Sequence, residues 1–212
     1  IIFGQGAIRC HPYVLKEMMA ARDPDRRRGL RQFDTAVFGH IGFTISNAAR
    51  SLVMALTLAR FTRVPDLGPT RRYYQHINRF SASFAFATDV AMLALGGYLK
   101  KKENLSARLG DVLSALYMGS AMLKRYEDQG RPAADEPLLA WAMHDQIHRI
   151  QVALDGVLRN FPIRPVAWLL RVLVFPLGLR EKPPGDRLGH RVASAMMTPS
   201  DTRARLAEGF QR

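Results

Sequence analysis

A chain of 212 residues with 48% apolar content is long enough for one domain or two small ones and can bury a substantial core. Its formal net charge of +13 narrows the partners to nucleic acid, an anionic membrane surface or acidic regions of a parent protein. A single cysteine, Cys10, excludes an internal disulfide framework and fits a reducing compartment. No basic-then-apolar leader opens the sequence, and a start at Ile1 rather than Met marks it as the expected continuation of a longer chain. The cations stand in doublets and triplets, such as Arg26-Arg27-Arg28 and Lys100-Lys101-Lys102, as solvated helix faces and ends do.

Helical periodicity runs through the chain, with no convincing period-two alternation. A glycine-permitted turn at Gly4-Gln5-Gly6 is expected before a short helix from Pro12 to Arg22, stopped by Asp23-Pro24. A second helical stretch covers about Leu30 to Arg60, with breaks expected at Gly39 and Gly42. Val64 to Pro69 reads as a connector. From Thr70, expected to cap it, a helix of about 32 residues extends to Lys102, with Tyr73, Ile77, Phe80, Phe84, Ala87, Ala91 and Leu95 at helical spacing and Gly96-Gly97 as a close crossing or kink.

The next helix opens at Asn104 or Ser106 and stops around Gly130-Arg131-Pro132, with a stripe of Leu109, Val112, Leu113, Leu116, Ser120 and Leu123. Asp135 is the expected cap of a helix whose inner face is Met143, Ile147, Ile150, Leu154, Val157 and Leu158, closed by Phe161-Pro162. A short apolar helix from Val166 to Phe175, a Pro183-Pro184-Gly185 loop, a helix from Asp186 to Met197 and a terminal helical turn after Thr198 to Asp201 complete the pattern. The fold class is all-α: an antiparallel bundle with long helices joined by short connectors. Residues 1–69 form a helical segment continuing from elsewhere, and 70–212 form a helical bundle.

Candidate chemistry is sparse. His144 and His148, four apart on one helix face with Asp145 between them, could share a metal, but no third ligand stands at a familiar spacing, and a polar helix face is the better reading. Gly4 and Gly6 lack the third glycine of a dinucleotide loop, since Arg9 occupies that place. Asp89 lies within the apolar run FAFATDVAML. An ionised carboxylate there is costly unless paired, so Asp89 is expected to be buried and to meet an Arg, Lys, His or backbone donor from another segment. Asp111 carries the same ambiguity on the following helix. No nucleophile sits in a recognisable elbow.

Three runs carry a resemblance: IIFGQGAIRCHPYVLKEM (1–18), RRYYQHINRFSA (71–82) and LGGYLKKKENLSARLGDVLSALYMGSAMLKRYEDQGR (95–131). They closely resemble the C-terminal region of bacterial FadE-type acyl-CoA dehydrogenases, and 185–195 is similar to the end of that family. The helix pair from about Thr70 to Tyr126 is more loosely similar to the extra helical domain of very-long-chain acyl-CoA dehydrogenases. The resemblance implies the C-terminal part of an acyl-CoA dehydrogenase fold in a β-oxidation enzyme that oxidises acyl-CoA to trans-2-enoyl-CoA with FAD. In the family a glutamate in a Glu-Gly motif takes the α-proton while the β-hydride passes to the flavin. That motif and the flavin segments are expected upstream of Ile1, so no catalytic, cofactor or metal residue is carried onto this chain, and the 212 residues alone are expected to be inactive.

What the resemblance leaves to this chain is stabilising the dehydrogenase part, dimer contacts and membrane docking, in a cytoplasmic enzyme peripheral to the inner membrane. Arg164, Trp168, Arg171 and Phe175 are the expected membrane contacts, since the segment mixes apolar side chains with arginines and is too short to span a bilayer. Ala36 to Arg60 is a second candidate. Two alternatives of other classes explain the charge, a basic helical nucleic-acid-binding protein and a membrane-surface scaffold without an enzymatic parent. The first lacks any base-reading module, so no nucleic-acid partner is expected.

Overall fold

The computed structural model describes residues 2–65 and 68–207, with side chains from Gly6 onward, so Ile1, Asp66 and Leu67 of the expected connector, and the last five residues lie outside the description. Among the described residues all regular structure is helical: α1 (Ile2–Cys10), α2 (Val14–Ala20), α3 (Arg26–Leu56), α4 (Arg71–Leu95), α5 (Glu103–Asp128), α6 (Glu136–Arg159), α7 (Arg164–Val174), α8 (Asp186–Met197) and α9 (Asp201–Ala207).

The expected turn at Gly4-Gln5-Gly6 is instead the interior of α1. Two glycines lower helix propensity without forbidding it. What ends α1 is Pro12, which disfavours the helical conformation of the residue before it. His11 then replaces the usual short polar cap, for its Nδ1 accepts from the backbone N–H groups of Tyr13 at 3.2 Å and Val14 at 3.1 Å. The start of α2 therefore falls at Val14 rather than at Pro12.

α3 is 31 residues long, roughly 46 Å at 1.5 Å per residue. Asp25 Oδ1 caps it by accepting from the N–H groups of Arg27 and Arg28. Neither Gly39 nor Gly42 breaks it. Gly39 instead lets α2 approach, because a Cβ there would run into the Tyr13 ring. The inner stripe of α3 is small and polar: Ala36, His40, Asn47, Ser51 and Ala55 are buried. Its large apolar side chains Phe38, Ile41, Ile45, Val53 and Leu56 point outward.

α4 ends earlier than its apolar pattern predicts. Gly96 takes φ +50, a left-handed conformation suited to glycine, and Gly96–Lys101 continues as a 3-10 helix. Among the described residues, Gly68–Lys101 is the one helical run long and apolar enough by composition to cross a bilayer. It is the central core helix here, burying Phe80, Phe86, Ala87 and Ala91 together with Arg79 and Asp89. Thr70 does not cap it; its hydroxyl donates to Glu127 Oε1 on α5 at 2.7 Å.

α5 and α6 pack along α4 to form the main core, where Leu109, Val112, Leu123, Met143, Ile150 and Leu154 are fully enclosed. Each such side chain contributes about 1.5–3 kcal/mol of burial free energy. Leu113 and Ser120, placed on the α5 stripe by periodicity, face outward, and Leu105, Ala115 and Tyr126 take core positions instead. Asp135 sits at the start of α6 without capping it. Its carboxylate turns to the end of the chain, accepting from Thr202 Oγ1 at 2.5 Å and from Arg205 Nη2 at 2.6 Å and Nε at 3.1 Å. α9 is thereby held against the start of α6.

Candidate functional site

The most concentrated polar chemistry lies where α2, α3 and α4 meet. Asp89 is 1% exposed. Its Oδ1 accepts from His40 Nε2 at 2.6 Å, and its Oδ2 accepts from the Thr44 hydroxyl. His11 Nε2 stands 3.4 Å from Oδ1. On the far side of His40, Nδ1 lies 2.7 Å from Glu17 Oε1. The imidazole thus bridges a carboxylate of α2 and a carboxylate of α4. Burial works against a charge on His40, yet the hydrogen bonds to Asp89 and Glu17, with their negative charges, outweigh it and hold the pKa above the ordinary 6.5. For His11 burial prevails, helped by the positive His40, and the pKa falls below 6.5 despite Asp89 and Glu17.

The side-chain nitrogens of His11 and His40 and an Asp89 oxygen all lie within 4.8 Å of one another, as metal ligands would. The hydrogen-bond pattern argues against a metal. With Nδ1 of His11 occupied by two backbone donors, the proton of the neutral ring resides on Nε2. Coordination at that nitrogen would require its lone pair.

Sequence reasoning singled out Asp89 and missed its partners. His40 is 49 residues away and Thr44 is 45, so no local spacing joins them to it. The i, i+4 relation of His40 and Thr44 on one helix face was the available signal. Asp111, the other ambiguous carboxylate, is exposed. His144 and His148 do not converge on a common point. His144 is exposed and meets the Tyr73 ring edge-on at 6.1 Å. His148 Nδ1 lies 2.9 Å from the Glu181 carbonyl.

That carbonyl belongs to a latch holding the strap between α7 and α8. Gln151 Oε1 accepts from the N–H groups of Arg180 and Glu181, and its Nε2 donates to the Glu181 carbonyl at 2.8 Å. The Glu181 carboxylate pairs with buried Arg79 at 3.0 Å, with His76 Nδ1 at 3.4 Å. Burial would raise the Glu181 pKa, but His76, Arg79 and Arg72 together hold it below the usual 4.5.

A second candidate is the outer face of α7. Trp168 is 64% exposed, beside Leu169 and Val172. Arg164 and Arg171 are exposed on the same helix; Arg164 reaches the Arg159 carbonyl at 3.1 Å and Arg171 the Asp155 carboxylate at 2.8 Å. Phe175, expected among the membrane contacts, does not belong to this face. It is 4% exposed and lies in the core beside Val174 and Leu170. The reason is that α7 ends at Val174, and Phe175, at φ −127 and ψ 54, leaves the helical path and turns its ring inward.

The described residues thus form an all-α bundle with a polar centre at the α2–α3–α4 junction and two outward apolar helix faces, on α3 and α7. The family model described as "Acyl-CoA dehydrogenase, C-terminal, bacterial type" matches residues 8–212, and the chain belongs to this family. No solved structure matches the chain. The family is generally FAD-dependent. Gly4-Gln5-Gly6 does not fit the flavin's phosphates, because Gly4 and Gly6 lie inside α1 rather than in a loop before a helix. No step of flavin chemistry is assigned to them.

Proposed function

We propose that this chain is the C-terminal accessory domain of an FAD-dependent acyl-CoA dehydrogenase of fatty-acid β-oxidation, that it supports the dehydrogenase part and a homodimer, and that it docks the enzyme on an anionic membrane. The family match over 8–212 carries the enzymatic half of this reading. In the parent enzyme FAD would accept the hydride from acyl-CoA, and the residues described here would act through packing and placement.

The two outward apolar faces support different partners. Along α3, Phe38, Ile41, Ile45, Leu52 and Leu56 recur at spacings of three, four and seven residues, with no charged residue among them on that face. A charge-free stripe of this length suits a protein surface, either the dehydrogenase part or a second subunit. On α7, by contrast, Trp168, Leu169 and Val172 are flanked by Arg164 and Arg171. Apolar side chains entering the acyl boundary while arginines face lipid phosphates is the pattern of an interfacial helix. Long acyl substrates partition into membranes, which gives docking a purpose; the proposed place of docking is the cytoplasmic face of the inner membrane.

Two measurements test the reading. In the flavin-loaded holoenzyme palmitoyl-CoA should bleach the flavin absorbance; flavin that stays oxidised overturns the enzymatic half. In co-sedimentation with phosphatidylcholine vesicles, binding should rise as phosphatidylglycerol is added and fall in a Trp168→Ser, Leu169→Ser variant. Equal recovery of folded protein in the supernatant with and without anionic vesicles would sink the docking half.

A further inference from the structure

The His40 ring lies between two carboxylates, and this gives the polar centre a property that packing alone would not. Ionised carboxylates only accept hydrogen bonds. With Glu17 Oε1 at 2.7 Å from Nδ1 and Asp89 Oδ1 at 2.6 Å from Nε2, both ring nitrogens of His40 must donate, and the ring is an imidazolium. A neutral ring has one proton, so it can satisfy one carboxylate and must turn a lone pair toward the other.

Every element around the ring contributes to this balance. From the α1–α2 turn come His11, which is neutral, and the Tyr13 ring, stacked on His40 at 6.1 Å. α2 supplies Glu17, α3 itself supplies Thr44, and α4 supplies Asp89. Lys100, in the 3-10 helix after α4, borders the adjoining cavity. Glu17, His40 and Asp89 together leave one net negative charge, and removing the His40 proton raises it to two in a largely enclosed space. That cavity, about 300 Å³ between Ile8, Val14, Met92 and Leu99, has Glu17 and His40 in its wall.

We propose that the second proton of His40 is a removable clasp between α2 and α4: while it is present α2 lies on α3, and when it leaves α2 lifts away and opens the adjoining cavity. α2 is the weak partner of the three helices. It is 7 residues long and buries only Ala20 among its own side chains. α4 is anchored by the core, and α3 is tied to its neighbours by contacts such as Ser51 to Ser83 at 2.8 Å and to the Leu173 carbonyl at 3.2 Å. Loss of the proton therefore moves α2.

The pH window follows from the two histidines. His40, raised above 6.5, contributes attachment that is complete below 6.5 and is lost as pH rises through its folded value. His11, lowered below 6.5, costs attachment as pH falls from 6.5 toward its folded value, because protonating Nδ1 would break the cap on α2. Attachment is thus greatest near neutrality, and the alkaline limb belongs to His40.

The test uses imidazole nitrogen NMR together with amide hydrogen exchange over residues 13–20 in the full chain, from pH 6 to pH 9. At pH 6 both His40 nitrogens should show the protonated signature. Exchange protection of α2, corrected for intrinsic rates, should fall about tenfold for each pH unit by which His40 is raised. Glu17→Gln keeps an acceptor and removes the charge; it should lower the His40 titration midpoint and shrink the pH dependence. His40→Gln should abolish the alkaline loss of α2 protection and leave only the acid limb of His11, and if that variant fails to fold, Glu17→Gln decides. Three results overturn the proposal: pH-independent protection in the unaltered chain, a His40 midpoint unmoved by Glu17→Gln, or zinc added to the protein displacing the ring protons of His11 and His40.

Discussion

Truncating Asp89 to alanine removes the acceptor for two hydrogen bonds and the counter-charge at the centre of the α2–α3–α4 junction. His40 Nε2–H and the Thr44 hydroxyl lose the Asp89 acceptor, and the His11 Nε2–H loses the carboxylate it faces, in a place where Asp89 itself was 1% exposed. Removing one partner of a buried pair costs about 3–5 kcal/mol, because the other charge stays behind uncompensated. The His40 Nε2–H left without an acceptor accounts for roughly 1–3 kcal/mol of this, while the Thr44 hydroxyl keeps the His40 carbonyl as an acceptor at 3.0 Å. The His40 proton can leave, which relieves part of the penalty and keeps the expected loss near the lower range. Against a typical total stability of about 5–15 kcal/mol this is a large fraction. For a chain of this size it corresponds to a fall in Tm of roughly 6–20 °C. Urea unfolding followed by circular dichroism at pH 6, where the ring is charged, measures it. Asp89→Asn should also lose more than about 1 kcal/mol, since its amide would point N–H groups at donors. Asp111→Ala, on an exposed face, should stay within about 0.5 kcal/mol. An Asp89→Ala variant as stable as Asp111→Ala would refute the account.

Two further perturbations separate packing from charge. Gly39→Ala places a Cβ against the Tyr13 ring and should cost about 1–3 kcal/mol by forcing α2 outward, whereas Gly42→Ala, with open space around it, should stabilise α3 by about 0.5–1 kcal/mol; equal effects in urea unfolding would contradict the close-approach reading. Glu181, whose carboxyl is held below 4.5, contributes stability that is complete above 4.5 and is lost as pH falls through its folded value. Glu181→Gln should flatten the acid limb of the stability profile, and an unchanged limb would show that the latch adds nothing.

Much of the bundle was legible because the large helices bury regular stripes. The inner face of α6 came from periodicity alone: Met143, Ile147, Ile150, Leu154, Val157 and Leu158 are all buried. The span of α8, Asp186 to Met197, was equally readable from its flanking turn residues. Failures fell where tertiary contacts replace local rules. Gly39 looks like a helix break in sequence because the Tyr13 ring that needs the space belongs to another segment. Asp135 looks like a cap because Arg205, its true partner, is 70 residues away. Phe175 looks like part of an exposed apolar run because the helix end that turns it inward is a single-residue event. Asp89 announced itself as an isolated charge among apolar neighbours, but nothing local identified His40, Glu17 or His11 as the groups around it.

The inner stripe of α3 explains why the junction is polar at all. A helix that turns Ala36, His40, Asn47, Ser51 and Ala55 inward and Phe38, Ile41 and Ile45 outward cannot be oriented by burial of its largest side chains, because that force would rotate it the other way. Specific hydrogen bonds hold it instead. His40 is fixed by Glu17 and Asp89, and about three turns further on Ser51 is fixed by Ser83 and the Leu173 carbonyl. Rotation or a slide of one turn, about 5.4 Å, would leave all of these groups buried without partners. The polar stripe thus fixes both the register and the rotation of α3, and the same constraint aims its apolar face out of the bundle, where a partner protein can reach it.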